Sequence, residues 1–261
     1  MPHQFFARFN LQRCGAELPA DAALLAAAGG GDTAEMQGYL DTFAATNAQR
    51  ATALIDRYRT ALEPLRGKRV FFLGDSITSD NLGYRPLVTA AAGLSAFDGA
   101  VSGCTSSSQF TYCRRLLLQQ RPDMVSIMLG SNDAVSIERT DQHQVSPEEY
   151  ARNMTAIVGW AVHSGAQVLL MELPPIHEAR FVSAFAPQDK LHSNPAVALY
   201  NAILRDVAQL YSLPPVSMRD LLNKQDSLFE PDGVHPSIEG HDIIADKWLQ
   251  AAITLYKGES A

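Results

Sequence analysis

The feature that most constrains this chain is an alternation that begins at Lys68. Short apolar runs at 70–73, 96–101, 124–129, 167–171 and 215–218 alternate with longer stretches whose apolar residues recur at helical spacing. Those stretches cover 86–92, 110–120, 147–163 and 195–211, and a last one at 237–256 puts Ile243, Ile244, Trp248, Ala252 and Leu255 on one face. A strand that reads as a continuous apolar run is buried on both faces, so helices must cover both sides of its sheet. The expected class is therefore α/β with five parallel strands. Right-handed crossovers bring all strand C-termini to one edge, where sites on such sheets gather.

Before Lys68 the pattern differs. Residues 21–28 read as a short helix, closed by the break Gly29-Gly30-Gly31. Asp32 with Glu35 three positions on has the spacing of a helix N-terminus. Met36, Tyr39, Leu40, Phe43, Leu54, Ile55, Tyr58 and Leu62 then predict one long helix running to Pro64. A helix of about 30 residues is about 45 Å long, more than one face of a compact sheet domain. Its apolar stripe must be covered, either by its own chain or by a second copy across a two-fold axis. The chain thus divides into a helical extension, 1–66, and a catalytic domain, 67–261, with a homo-oligomer through the long helix as an expectation.

Composition excludes more than it identifies. The formal charge is −7, and no basic run offers a nucleic-acid face. No apolar run is long enough to span a bilayer, and the first residues lack a signal-peptide core. Cys14, Cys104 and Cys113 form no CxxC pair and cannot all pair with one another, which points to a reducing, cytoplasmic compartment.

Chemistry concentrates at the expected strand ends. Gly74-Asp75-Ser76-Ile77-Thr78 follows the first strand, Ser102-Gly103-Cys104-Thr105 the second, and Gly130-Ser131-Asn132-Asp133 the third. Asp232-Gly233-Val234-His235-Pro236 precedes the last helix, and Pro236 keeps His235 out of a helical conformation. Acyl transfer needs a hydroxyl nucleophile, a base, a group that orients the base, and donors for the oxyanion. Ser76, His235 and Asp232 supply the first three. The backbone N–H groups of Ser76 and Gly103, with the Asn132 amide, supply the donors.

These blocks, GDSIT, a following Gly, GSND and DGVHP, resemble blocks I, II, III and V of the SGNH (GDSL-like) hydrolases, in the family's order. The resemblance runs from about Lys68 to Leu255, with Ile77 where many members carry Leu. It implies a flavodoxin-like α/β/α sandwich with a five-stranded parallel sheet. It also implies Ser76 as nucleophile, Asp232 and His235 as the rest of a triad, and Ser76, Gly103 and Asn132 as the oxyanion hole. The implied activity is hydrolysis of a carboxylic ester without cofactor or metal. A short-chain or acetyl ester, for instance on a carbohydrate, is the favoured small-molecule substrate, because no large apolar lid is evident. An acyltransferase with the same triad and a catalytically silent binding module are the alternatives.

Other polar residues read as structural. Asp75 and Asp133 are expected to hold loop N–H groups, and Cys104 to be a small packing residue. His3, His143, His163, His177, His192 and His241 read as surface residues, with His177 nearest the active edge. Trp160 and Trp248 read as core. The 174–194 connection is long enough to carry a function of its own.

Overall fold

The computed structural model describes residues 3–9, 21–29, 31–137, 142–185, 190–219 and 226–257. Four parallel strands form one sheet: β1 (Arg69–Gly74), β2 (Ser95–Asp98), β3 (Met124–Met128) and β4 (Gln167–Leu170), in the order β2-β1-β3-β4. Val70 stands opposite Ala96 on β2 and Met124 on β3, and Val125 opposite Val168 on β4. The order reverses between β1 and β3, and the crevice beyond the carboxyl ends of these two strands is where such sheets bind ligands.

The pleat sends alternate side chains of β1 into two cores. Phe71 and Leu73 join α6 (Ser106–Gln120), α7 (Pro147–His163) and α9 (Asn194–Leu210) on one face. Val70 and Phe72 join α5 (Tyr84–Ala92) and α10 (Ile238–Lys257) on the other. The helices begin where their caps stand: Thr105, Ser146 and Ser193 each accept a backbone N–H in the first turn of α6, α7 and α9.

The expected fifth strand does not form. Among the described residues only Val216 pairs with the edge there, donating to the Leu170 carbonyl at 2.8 Å and accepting from the Glu172 N–H at 2.9 Å. Pro214 and Pro215 just before it carry no N–H, so no longer ladder can be built there. The sheet has four strands, not five. The second strand is also shorter than expected, because the Asp98 carboxylate accepts the Ala100 N–H at 3.0 Å and turns the chain.

The extension comprises α1 (His3–Arg8), α2 (Ala22–Gly29) and α3 (Thr33–Tyr58), then a 3-10 segment, Arg59–Leu65, that contains Pro64. Asp32 caps α3 by accepting the Ala34 N–H at 2.7 Å. Regular α-helix stops at Tyr58, because Arg59 takes φ 44°. Of the three glycines expected to break the helices, Gly30 lies outside the described residues. Most of the stripe of α3 is covered by its own chain, with Ile55 left exposed. Met36 and Phe43 pack with Ala7, Leu25, Ala26 and Leu82, while Ala51 and Leu54 join the core under α5 and α10. Arg50 adds polar ties to Asp242, Asn47 and the Leu82 carbonyl. Much of the apolar area on which the homo-oligomer expectation rests is thus covered within the chain. No helix among the described residues is long and apolar enough to cross a membrane.

Candidate active site

The first loop beyond β1 is shaped by Gly74. A Cβ there would stand 2.3 Å from Thr78 Oγ1 and 2.6 Å from the Met128 carbonyl, so the chain turns in a space only glycine fits. Asp75 then caps the short helix α4 (Ser76–Ser79) by accepting the Ile77 N–H at 3.0 Å. Ser76 is the first residue of that helix, and its N–H bonds no acceptor among the described residues. On the far side, Gly233 at φ +76° lies so close to the start of α8 (Glu178–Phe185) that a Cβ would stand 2.5 Å from the His177 carbonyl. The Asp232–His235 turn is held by the His177 N–H to the Gly233 carbonyl (2.8 Å) and the Glu230 N–H to the His235 carbonyl (2.8 Å).

The two loops meet. His235 Nε2 lies 2.8 Å from Ser76 Oγ, and His235 Nδ1 lies 2.6 Å from Asp232 Oδ2. The other carboxylate oxygen of Asp232 accepts the backbone N–H groups of Val234 (2.9 Å) and His235 (3.0 Å), which fixes the plane of the carboxylate. Burial by itself disfavours the charged imidazole, yet the Asp232 carboxylate outweighs it and leaves the His235 pKa above the ordinary 6.5. Burial likewise pushes the Asp232 carboxyl up, but the His235 pairing and the two N–H donors bring it below its usual value.

Gly103 and Asn132 come to the same edge. Val101 donates its N–H to the Gly74 carbonyl at 3.1 Å, anchoring the Gly103 loop beside the Ser76 loop. Asn132 Nδ2 donates to the Cys104 carbonyl at 3.0 Å, which uses one amide hydrogen and orients the other. The Gly103 N–H bonds no acceptor among the described residues, and the space where its Cβ would stand is open. A groove of about 820 Å³ adjoins Gly103, with Ser102, Ser107, Ser108, Thr111, Tyr112 and Arg115 along its walls.

The supporting residues behave as expected in part. Asp133 is buried and accepts the Ser106 N–H at 3.0 Å and the Ser106 hydroxyl in a short bond. Burial pushes both the Asp75 and the Asp133 carboxyls up to about 6. Cys104 is buried against the Tyr112 hydroxyl at 3.2 Å, and burial pushes its thiol up to about 11, the signature of a packing residue. Cys113 is buried, and Cys14 lies outside the described residues. Trp248 is buried with its Nε1 donating to Ser126 Oγ, and Trp160 lies half-buried against Phe110.

Two histidines expected at the surface are interior. His192 is buried with neither ring nitrogen hydrogen-bonded among the described residues, and burial lowers its pKa to about 4. His241 is fully buried in the first turn of α10: its Nδ1 accepts the Tyr84 N–H at 3.2 Å, and its Nε2 faces Asp80 Oδ2 at 3.2 Å. Asp80, also fully buried, is met from the extension by Arg8. Nothing in the sequence pattern singled out Arg8, Asp80 or Glu230, because their pairing joins positions far apart in the chain. Within the 174–194 connection, α8 braces Gly233, and His177 Nε2 pairs with Asp226 at 2.9 Å rather than with Asp232 or His235. Residues 186–189 lie outside the described set.

Relatives bear on this arrangement. Over 143 residues the chain is 25% identical to "Esterase TesA" of Pseudomonas aeruginosa, a match covering 54% of this chain and 61% of TesA. An "Arylesterase" of Vibrio mimicus is 24% identical over 155 residues, 59% of this chain and 67% of that protein. The matched segment therefore spans under two thirds of the length of TesA. Among solved structures, the lipase/acylhydrolase from Enterococcus faecalis superposes with a TM-score of 0.59 at 19% identity, over 72% of this chain and 96% of its own. Axe2, an acetylxylan esterase from Geobacillus stearothermophilus, gives 0.56 at 22% identity, over 71% and 94%. These two likenesses concern the fold. Residues 72–243, well over half of the chain, match the GDSL-like Lipase/Acylhydrolase family. With four motif blocks on one sheet edge and that match across them, this chain belongs to the GDSL-like lipase/acylhydrolase family.

Proposed function

We propose that the protein is a serine esterase that cleaves a carboxylic ester through an acyl-enzyme at Ser76. The observation that carries this reading is the hydrogen-bonded series Asp232–His235–Ser76, at 2.6 and 2.8 Å. In the resting enzyme Asp232 holds the proton of His235 on Nδ1 and leaves Nε2 as the acceptor. Ser76 Oγ attacks the ester carbonyl carbon while its proton passes to Nε2. The negative oxygen that forms is met by the N–H groups of Ser76 and Gly103 and by Asn132 Nδ2. Nε2–H then protonates the departing alcohol oxygen as the C–O bond breaks. Water gives a proton to Nε2, its oxygen attacks the acyl carbon, and the acid leaves as Ser76 recovers its proton. No step needs a cofactor.

A small, polar ester fits the surroundings. The groove beside Gly103 carries the hydroxyls of Ser102, Ser107, Ser108, Thr111 and Tyr112 and the Arg115 side chain alongside Val101 and Cys104, which supports an acetyl or short acyl group on a hydroxyl-rich alcohol such as a carbohydrate. The names of TesA, the arylesterase and Axe2 agree with ester chemistry. The test is hydrolysis of acetyl, butyryl and octanoyl chromogenic esters and of an acetylated xylo-oligosaccharide, with and without a competing alcohol. The expected result is fastest release from acetyl esters, with free acid as product. Transfer to the alcohol in preference to water would mean an acyltransferase, and no turnover by folded protein would mean a silent binding module. We also assign residues 67–261 to the catalytic domain and 1–66 to an extension that braces it.

A further inference from the structure

The extension does more than cover a helix stripe, because its first helix reaches the triad. Arg8, at the end of α1, places its guanidinium between two carboxylates. Its Nε donates to both oxygens of Asp80 at 3.0 Å, its second terminal nitrogen lies 2.8 Å from Asp80 Oδ2, and its first donates to Glu230 Oε1 at 2.7 Å. Asp80 closes α4, its N–H donating to the Ser76 carbonyl at 3.1 Å. Glu230 opens the turn of the base, its N–H donating to the His235 carbonyl at 2.8 Å. One side chain therefore ties the helix that begins with Ser76 to the turn that carries His235. The next residue, Phe9, is 3% exposed, and its ring centroid stands 4.7 Å from that of His235.

The tie is itself well anchored. Asn81 donates its N–H to the Arg8 carbonyl at 2.7 Å and its side-chain amide to the Ala7 carbonyl at 2.8 Å. Asn47 of α3 donates to the Asn81 carbonyl at 2.7 Å. Ala7 and Leu82 share a small apolar core with α2 and α3. A buried carboxylate such as Asp80 is tolerated only when paired, and the planar guanidinium fork is the group that can meet two carboxylates in fixed directions. The reaction depends on Ser76 Oγ and His235 Nε2 staying at hydrogen-bond distance, and these two atoms sit on loops separated by 159 positions.

We propose that Arg8 and Phe9 are positioning residues for the Ser76–His235 pair, Arg8 fixing the two loops against each other and Phe9 seating the imidazole. The inference rests on the esterase reading above. Arg8 and Phe9 lie outside residues 72–243, which match the family, whereas their partners Asp80, Glu230 and His235 lie within them.

The test compares full-length wild type with Arg8→Met, Arg8→Lys, Phe9→Ala, Phe9→Leu and the double variant Arg8→Met/Asp80→Asn, with Ser76→Ala as control. The double variant removes the fully buried Asp80 charge together with its partner, and the Glu230 carboxylate that also loses Arg8 is partly exposed and can be hydrated. At equal folded fraction by circular dichroism, Arg8→Met, the double variant and Phe9→Ala should lower kcat about ten- to hundredfold with KM within about twofold, the pattern of lost alignment rather than lost binding. Arg8→Lys and Phe9→Leu should recover part of that loss. Wild-type kcat in the double variant and in Phe9→Ala, or a loss carried wholly by KM, overturns the inference while the esterase reading stands. Turnover that survives Ser76→Ala overturns both.

Discussion

Replacing Asp232 by Asn tests the assigned proton positions more sharply than deleting it. The carboxylate is held by two backbone donors on Oδ1, the N–H groups of Val234 and His235 at 2.9 and 3.0 Å. An asparagine keeps those two bonds only by presenting its carbonyl to them. Its NH2 group then faces His235 Nδ1, where Asp232 Oδ2 stands at 2.6 Å in the wild type. Facing a donor, Nδ1 becomes an acceptor, and the ring's proton moves to Nε2. That nitrogen, 2.8 Å from Ser76 Oγ, then has no lone pair to take the serine proton. The fold should be unaffected, since size and backbone bonds are kept. A tautomer fixed in the wrong sense costs about 10⁴ in kcat, or about 5.5 kcal/mol of activation free energy. The assay is steady-state hydrolysis of a chromogenic acetyl ester, with thermal unfolding as the control. Retention of a tenth or more of wild-type kcat by a folded Asp232→Asn would refute the reasoning.

Further outcomes follow from the same geometry. Asn132→Ala should lower kcat by about 10²–10³ with a smaller change in KM, since the amide would act on the oxyanion rather than on the ground-state ester; steady-state kinetics checks it. His235 has a raised pKa, so kcat/KM should fall as pH drops through a single ionisation centred above about 6.5, seen in a pH–rate profile. Asp133 titrates at about 6 in the folded protein against 3.8 for the ordinary carboxyl. Its contribution to stability is therefore greatest below 3.8 and is lost as pH rises through about 6, a difference of about 3 kcal/mol. Asp133→Asn, which still accepts the Ser106 N–H, should flatten that part of the stability profile in urea unfolding between about pH 4 and 7. Removing residues 1–66 should lower the melting temperature sharply without changing the oligomeric state, because Met36, Phe43, Ala51 and Leu54 cover the chain's own core; light scattering and calorimetry decide.

The sequence carried the parts of this account that local pattern can encode. Uninterrupted apolar runs located β1, β3 and β4, and Ser and Thr caps set where α6, α7 and α9 begin. The Ser76, Asn132 and His235 blocks were legible because each is short and sits at a strand end or helix start. Apolar content at 215–218 predicts a fifth strand, but Pro214 and Pro215 lack the N–H donors that a ladder there would need. The burial of His192 and His241 is not legible in the sequence, because a lone histidine carries no periodic signal of burial. The Arg8 bridge had no signal at all: its partners lie 72 and 222 positions away, and only the folded chain brings them together.

The central claim is that Ser76 is the nucleophile, and covalent labelling tests it most directly. Full-length protein treated with a fluorophosphonate ester should gain the mass of one phosphonyl group, mapped by peptide mass spectrometry to Ser76, with loss of esterase activity in step. Ser76→Ala should take up no label and hydrolyse no ester above background. Labelling at another residue, or ester hydrolysis that persists in the unlabelled Ser76→Ala protein, would contradict the account.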